Sequence, residues 1–262
     1  MNIHSTAIVD AKAELADDVE IQAFSIIGPY VQIGAGTVVG PHCVIDGRAV
    51  IGENNHLFSG AQIGVLCQDL KHQQGLVGRI VIGDNNTFRE HVTISASTME
   101  SYDDDHRVTT IGDNCLFMAC SHVGHDCHVG NKVILANCAL LAGHVEVEDK
   151  AQISGLCGVH QECAIGTVSY VGGCSRIAKD VPPYMLVEGN PARCVGPNSI
   201  GLRRNGFDAA ARARVKIMYR IMYRSNLNTT QALHEIEASV EDGEERTRFV
   251  EFVRRSIRGI SR

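Results

Sequence analysis

A hydrophobic residue returns every six positions from Ile3 through Val9, Leu15, Ile21, Ile27, Ile33, Val39, Ile45, Ile51 and Leu57 to Ile63. The register reappears at Ile82, Phe88 and Ile94, and then runs without a slip from Ile111 to Ile177. A period of six matches neither an α-helix nor an alternating strand. Sustained over most of a chain, it marks a solenoid rather than a closed globule. Six residues supply one short strand and one corner, so three such units close a three-sided coil. Residues i and i+18 then stack about 4.8 Å apart, the spacing of neighbouring strands. The pattern predicts a mainly β protein, a parallel β-helix shaped as a triangular prism. The hydrophobic residue and the small residue four places later point inward, while Gly, Asn and Asp turn the corners.

Two stretches break the register. Residues 69–81 and 100–110, the second carrying Asp103-Asp104-Asp105, are too polar and irregular for coils and read as loops projecting from the scaffold. Such loops often carry function. The repeat ends at Val181-Pro182-Pro183, which divides the chain into a β-helix over residues 1–187 and a C-terminal helical domain over 188–262. A linker-like stretch (EGNPARCVGPNSIG) opens the second part. Asp208 is placed to cap a helix reaching about Ser225. Thr229 or Thr230 opens a second helix to Val240, and a third runs from about Glu244 to near Gly259. These helices would cover one raw end of the solenoid.

Composition refines this picture. Aromatics make up 5% and tryptophan is absent, which suits a narrow core of aliphatic and small side chains. None of the ten cysteines forms a Cys-x-x-Cys pair, so a structural zinc site is not expected. Cys43, Cys67, Cys115, Cys127, Cys157 and Cys163 instead occupy the small inward slot held elsewhere by Ala7, Ser25, Val31 or Thr37. Unpaired thiols in such number favour a reducing compartment. With neither a signal-peptide pattern nor an apolar run long enough for a transmembrane segment, a cytoplasmic protein is expected. The net charge of −6 is uneven, because the chain from Asn198 onward is basic. That end reads either as a docking surface for an acidic partner or phosphate, or as solvated helix faces. No nucleic-acid partner is expected.

Stacking by 18 sorts the polar residues onto faces. Hexads starting at Val123, Leu141 and Val159 share one face and read VGHDCH, LAGHVE and VHQECA. His125, Gly143 and Gln161 form one column; Asp126, His144 and Glu162 form the next. His122 stands at the corner leading into this face, and His160 is also on it. This gathering of histidines beside a carboxylate suits either zinc or an acid–base histidine oriented by a carboxylate, and Asp126 is the candidate orienter. On the adjoining face Asn137, Gly155 and Gly173 share a column, where missing side chains would leave a shallow groove.

At these residues the chain resembles the bacterial hexapeptide-repeat transferases and, more narrowly, the UDP-N-acetylglucosamine acyltransferases that begin lipid A synthesis. The resemblance covers nearly the whole chain. It rests on Gln68-Asp69-Leu70-Lys71, His122-Val123-Gly124-His125-Asp126-Cys127, Leu135-Ala136-Asn137, Leu141-Ala142-Gly143-His144-Val145 and Val171-Gly172-Gly173-Cys174-Ser175. Asp180-Val181-Pro182-Pro183-Tyr184, Glu188-Gly189-Asn190 and Gly201-Leu202-Arg203-Arg204 add to it. It implies a left-handed parallel β-helix, a homotrimer, and no cofactor or metal beyond the phosphopantetheine of the acyl carrier protein donor. It further implies His125 as the general base, Asp126 as its orienter and the Gly143 N–H as oxyanion donor. Asp69, Lys71, His122, His144, His160 and Gln161 would hold the sugar and diphosphate, Asn198 and Arg204 the nucleotide, and Gly155 and Gly173 the acyl chain.

The chain departs from the family pattern in places. Ile200 stands where an acid is usual in Asn-x-Glu-Gly-Leu, and Asn205 replaces a second basic residue. Glu162 replaces an aromatic, and Ser95-Ala96-Ser97 replaces His/Asn-Arg-Gly. These changes bear on the acceptor more than on the reaction. The alternatives are a diverged paralogue acylating another nucleotide sugar, or a non-catalytic binder of acyl carrier protein or nucleotide sugar.

Overall fold

The computed structural model describes residues 1–99 and 106–262. Asp103-Asp104-Asp105 lies outside the described residues. The chain winds into the expected prism, a left-handed parallel β-helix with three flat sheets. Each sheet takes every third strand. The first face runs from Asn2–Ile3 to Tyr170–Val171, the second from Ile8–Val9 to Arg176–Ile177, and the third from Glu14–Leu15 to Ala164–Ile165. Stacking follows the 18-residue rule, with Ile3 on Ile21, Val123 on Leu141 and Val129 on Val147.

The register holds because each hexad hydrophobic is buried along one axial core, from Ile21 to Ile177. Removing each from water contributes about 1.5–3 kcal/mol, and a slip of one residue would turn the whole set outward. Phe88 and Phe117, buried neighbours in the first face, stack within this core with centroids 5.0 Å apart. In most coils the corner residue three places after the hydrophobic adopts left-handed backbone geometry, as Asp126 (φ 57°), His144 (φ 59°) and Glu162 (φ 60°) do. Asn, Asp and His enter that region more readily than bulky residues.

The six slot cysteines are buried, as expected. They do more than fill space. The Cys43, Cys115, Cys127 and Cys157 thiols each donate to a carbonyl fifteen residues on, at 3.1 Å. Ser25 and Thr37 make the same bond through their hydroxyls. Burial pushes the Cys127 thiol up to about 12, so it stays protonated and able to donate.

Four boundaries differ from the sequence reading. Arg79–Ile82 and Thr109–Ile111 are regular strands of the third face, so each interruption ends earlier than its polarity suggests. The supposed linker is an antiparallel hairpin, Met185–Gly189 with Ala192–Pro197, added to the edge of the first face. The division at residues 187 and 188 therefore falls inside a strand, and covering that sheet edge is what gives the stretch its structure. A short helix unseen in the pattern, α1 (Ser199–Arg204), follows. Next come α2 (Ala209–Arg224), capped by Asp208, α3 (Thr229–Ser239), capped by Asn228, and α4 (Glu244–Arg255). The last helix stops short of Gly259 because the tail leaves it to bond Asp180: Ser256 Oγ donates to the carboxylate at 2.6 Å and Ser261 N to the carbonyl at 2.8 Å. A second core, including Tyr184, Met218, Ile236 and Phe249, welds these helices to the end of the prism.

Candidate active site

Strand His122–Val123 lies between Thr93–Ser95 and Leu140–Leu141 on the second face. His122 thus opens the strand itself rather than the preceding corner. Val123 anchors the strand in the core, and the chain then turns at Gly124-His125-Asp126-Cys127. Gly124 is required there, since a Cβ would come within 2.8 Å of the backbone of Ala142. The columns fall where the period puts them. His144 N donates to His125 O at 2.9 Å and Glu162 N to Gly143 O at 3.1 Å. A Cβ on Gly143 would run into the His125 ring, so only glycine lets this backbone and the imidazole approach so closely. The Gly143 N–H has no acceptor among the described residues.

His125 Nδ1 lies 2.8 Å from Asp126 Oδ2 and donates to it. That fixes the tautomer and leaves a lone pair on Nε2. Asp126 is buried and accepts further bonds from Thr98 N, at 3.2 Å to each oxygen, and from Thr98 Oγ1 at 2.8 Å. Burial alone would raise its pKa, but the bonds from His125 and Thr98 outweigh it and hold the carboxyl below its ordinary value. Asp69 Oδ2 lies 3.8 Å from His125 Nε2. That is too far for a direct bond, yet one hydroxyl oxygen between them can reach both. His144 Nε2 is 3.7 Å from Asp126, and its ring meets His125 edge-on. His125, Asp126 and His144 offer atoms within 4.8 Å of one another, the ligand types a metal would use. Asp126 is already engaged by His125 and Thr98, which suits an acid–base dyad better.

Around the dyad is a pocket of about 280 Å³, with Gln68, Ser95, His122, Leu140 and Gly158 on its walls. His122 shares a bond of 2.8 Å with Thr93 Oγ1, and burial lowers its pKa. Asp69 turns its own loop by accepting from Lys71 N at 2.8 Å, with the Lys71 side chain exposed. His160 and Gln161 are exposed just past Val159, the last residue lining the pocket, and His160 Nδ1 donates to Gln161 O at 3.1 Å. Glu162 faces Arg258 of the C-terminal tail at 3.8 Å. Gly155 and Gly173 stack as expected: a Cβ on Gly173 would meet only Gly155 O, at 3.6 Å, so the corner is open.

Asn198 and Arg204 are elsewhere. With Ile200, Lys132, Lys150 and Tyr170 they line a pocket of about 480 Å³ against the first face. Asn198 is buried, its Oδ1 accepting from Gly201 N at 2.9 Å and its Nδ2 donating to Val168 O at 2.8 Å. Its amide therefore builds α1, leaving Arg204 as the exposed group of the two. A single chain does not bring this pocket to His125. Thr98 and Arg107 carry no signal in the sequence, since both lie at the second interruption, where the period places nothing.

A β-helix carrying a carboxylate-oriented histidine beside a bare backbone N–H has the makings of a hexapeptide-repeat acyltransferase. Residues 12–47 and 109–143 match the bacterial transferase hexapeptide repeat, and residues 180–261 match domain 2 of UDP N-acetylglucosamine O-acyltransferase. An acyl-(acyl-carrier-protein)–UDP-N-acetylglucosamine O-acyltransferase of Syntrophobacter fumaroxidans is 48% identical over 263 residues, 100% of both chains. Its counterpart from Gloeothece citriformis is 47% identical over 184 residues, 70% of this chain and 64% of that protein. The crystal structure of the Francisella novicida UDP-N-acetylglucosamine acyltransferase superposes with a TM-score of 0.94 at 36% identity, covering 99% of this chain and 94% of that one. The chain belongs to the UDP-N-acetylglucosamine O-acyltransferase family.

Proposed function

We propose that this protein transfers an acyl group from the phosphopantetheine thiol of acyl carrier protein to the 3-hydroxyl of UDP-N-acetylglucosamine, the step that opens lipid A synthesis. The observation that carries the reading is the His125–Asp126 dyad, with Nε2 turned away from Asp126 and Gly143 beside it. His125 Nε2 takes the hydroxyl proton as the oxygen attacks the thioester carbon. Asp126 holds the ring and balances the imidazolium. The Gly143 N–H stabilises the oxyanion, and the same imidazolium returns its proton to the thiolate as the C–S bond breaks. Asp69 is placed to share the attacking hydroxyl, while Lys71, His122, His144, His160 and Gln161 surround the sugar and diphosphate. The groove past Gly155 and Gly173 takes the acyl chain. No cofactor is needed beyond the donor's own pantetheine.

Two further features belong to this reading. Arg204 and its pocket stand apart from His125 in one chain, so the complete site forms between subunits of a homotrimer. No helix among the described residues is long and apolar enough to cross a membrane. All ten cysteines are free, which agrees with a cytoplasmic enzyme. The test is mass spectrometry of products from a panel of acyl-carrier thioesters and UDP-sugars, with His125→Ala alongside. An O-acylated UDP-N-acetylglucosamine is expected, falling at least about 100-fold in rate in the variant. A product from another sugar nucleotide alone, or unchanged turnover in His125→Ala, would overturn the reading.

A further inference from the structure

We infer that Thr98 and Arg107 are positioning residues for the dyad, forming a relay from the second interruption of the β-helix to the carboxylate behind the histidine. The inference rests on the acyl-transfer reading above. Thr98 lies just past strand Thr93–Ser95, and Arg107 just before strand Thr109–Ile111. Arg107 Nη1 donates to Thr98 Oγ1 at 2.9 Å. The hydroxyl is thereby committed as acceptor on one side and spends its own proton on Asp126 Oδ2 at 2.8 Å. This is the oxygen that also receives His125 Nδ1–H. Thr98 N spans both carboxylate oxygens at 3.2 Å, and Thr109 Oγ1 accepts from Asp126 N at 2.9 Å. Thr98 thus grips the carboxylate and Thr109 the backbone of Asp126, both from the flanks of one excursion, while the other side of the carboxylate faces the His125 imidazole at 2.8 Å and His144 at 3.7 Å.

The first excursion locks onto the same segment. Gln73 N donates to Met99 O at 3.0 Å, and Met99 N donates to His72 Nδ1 at 3.1 Å. The interruptions therefore do more than project: one brings Asp69 to His125 Nε2, and the other orients the opposite side of the ring through Asp126. A polar direction runs along the relay, from the Arg107 cation through one hydroxyl to the carboxylate. It spreads the negative charge that would otherwise concentrate on Oδ2 and keeps Asp126 aimed at His125 through the catalytic cycle.

Two consequences separate this role from mere packing. Without the Thr98 hydroxyl, more charge falls on Oδ2, which binds the protonated imidazole more tightly. The titration of the His125–Asp126 pair then moves to higher pH, as a property of the pair. The other titratable groups around it are Asp69, His122, His144, Cys67 and Cys127. All of them are unchanged by the substitution, so a shift reports the relay. The ring also loses its fixed aim, and turnover falls while substrate contacts stay as they were.

The test is Thr98→Val, which keeps the β-branched shape, with Thr98→Ser and Arg107→Met beside it. Turnover in Thr98→Val should fall about 10- to 30-fold, the scale of losing a supporting partner behind a functional side chain. KM values should stay within about twofold. The acidic limb of the kcat/KM profile should move to higher pH, and Thr98→Ser should restore both. Arg107→Met should shift the limb in the same direction with a smaller loss. Imidazole NMR on the intact protein reads the pair's titration without turnover, so it stands even if the substrate assignment fails. A parent-like titration in Thr98→Val, or a loss appearing only in KM, sinks the relay. Should Thr98→Val fail to fold, Arg107→Met decides: an unmoved titration there overturns the inference.

Discussion

At the residue scale the site depends on one absent side chain and one buried charge. Gly143 has backbone geometry open to other residues, since its φ lies outside the left-handed region, but its Cβ position is taken by the His125 ring. Gly143→Ala should therefore fold normally and displace the imidazole, lowering turnover by about 100-fold, comparable to losing an oxyanion donor. Steady-state kinetics beside an unchanged melting curve is the check. Asp126 makes a pH prediction. Its folded pKa is held below the unfolded value, so its stabilisation is present above the unfolded value and is lost as pH falls through the folded one. Asp126→Asn should then flatten the acid side of the stability curve, measured by denaturant unfolding at stepped pH below about 5. An unaltered acid slope would mean that the hydrogen bonds to Asp126 do not couple to folding. The columns of His125 with Gly143 and of Asp126 with His144 were legible in the sequence because the repeat never slips between Ile111 and Ile177. Thr98 and Arg107 were not, because period says nothing where coils are interrupted.

At the scale of elements, the same contrast decides what could be read. The strands are two residues long for most of the chain, and no propensity argument would find them; the spacing of buried positions does. Helix α2 follows the cap legible in its sequence, Asp208, and α3 begins at Thr229 as read, although its capping side chain is Asn228. The hairpin of Met185–Gly189 and Ala192–Pro197 escaped because its order comes from a neighbour, the exposed edge at Tyr170–Val171, and not from its own polar composition. Helix α1 escaped because it is short and rests on a single buried cap. Asn198→Ala removes that cap at about 1 kcal/mol and also leaves Val168 O without its donor. The expected result is a lower melting temperature together with a raised KM for the UDP-sugar, since α1 carries Ile200 and Arg204 into the pocket wall. A raised KM without any loss of stability would instead return Asn198 to direct contact with the nucleotide.

At the scale of the whole molecule, a rigid prism separates two pockets. The pocket at His125 opens on the second face, and the pocket of Arg204 lies against the first, with parallel sheets fixing both in place. A solenoid whose coils are locked in register has no hinge by which one chain could fold these faces together. The homotrimer proposed above would join them by setting the second face of one copy against the first face of the next. This makes subunit complementation the decisive measurement. His125→Ala and Arg204→Ala should each be weak when assayed alone at low acceptor concentration, the first through turnover and the second through acceptor binding. Unfolded together and reassembled as mixed trimers, they should regain activity, because about one quarter of randomly formed interfaces pair an intact His125 with an intact Arg204 from the neighbour. Recovery toward that level places both residues in one shared site. Activity no higher than the average of the two separate variants would confine the site to a single chain and remove Arg204 from it.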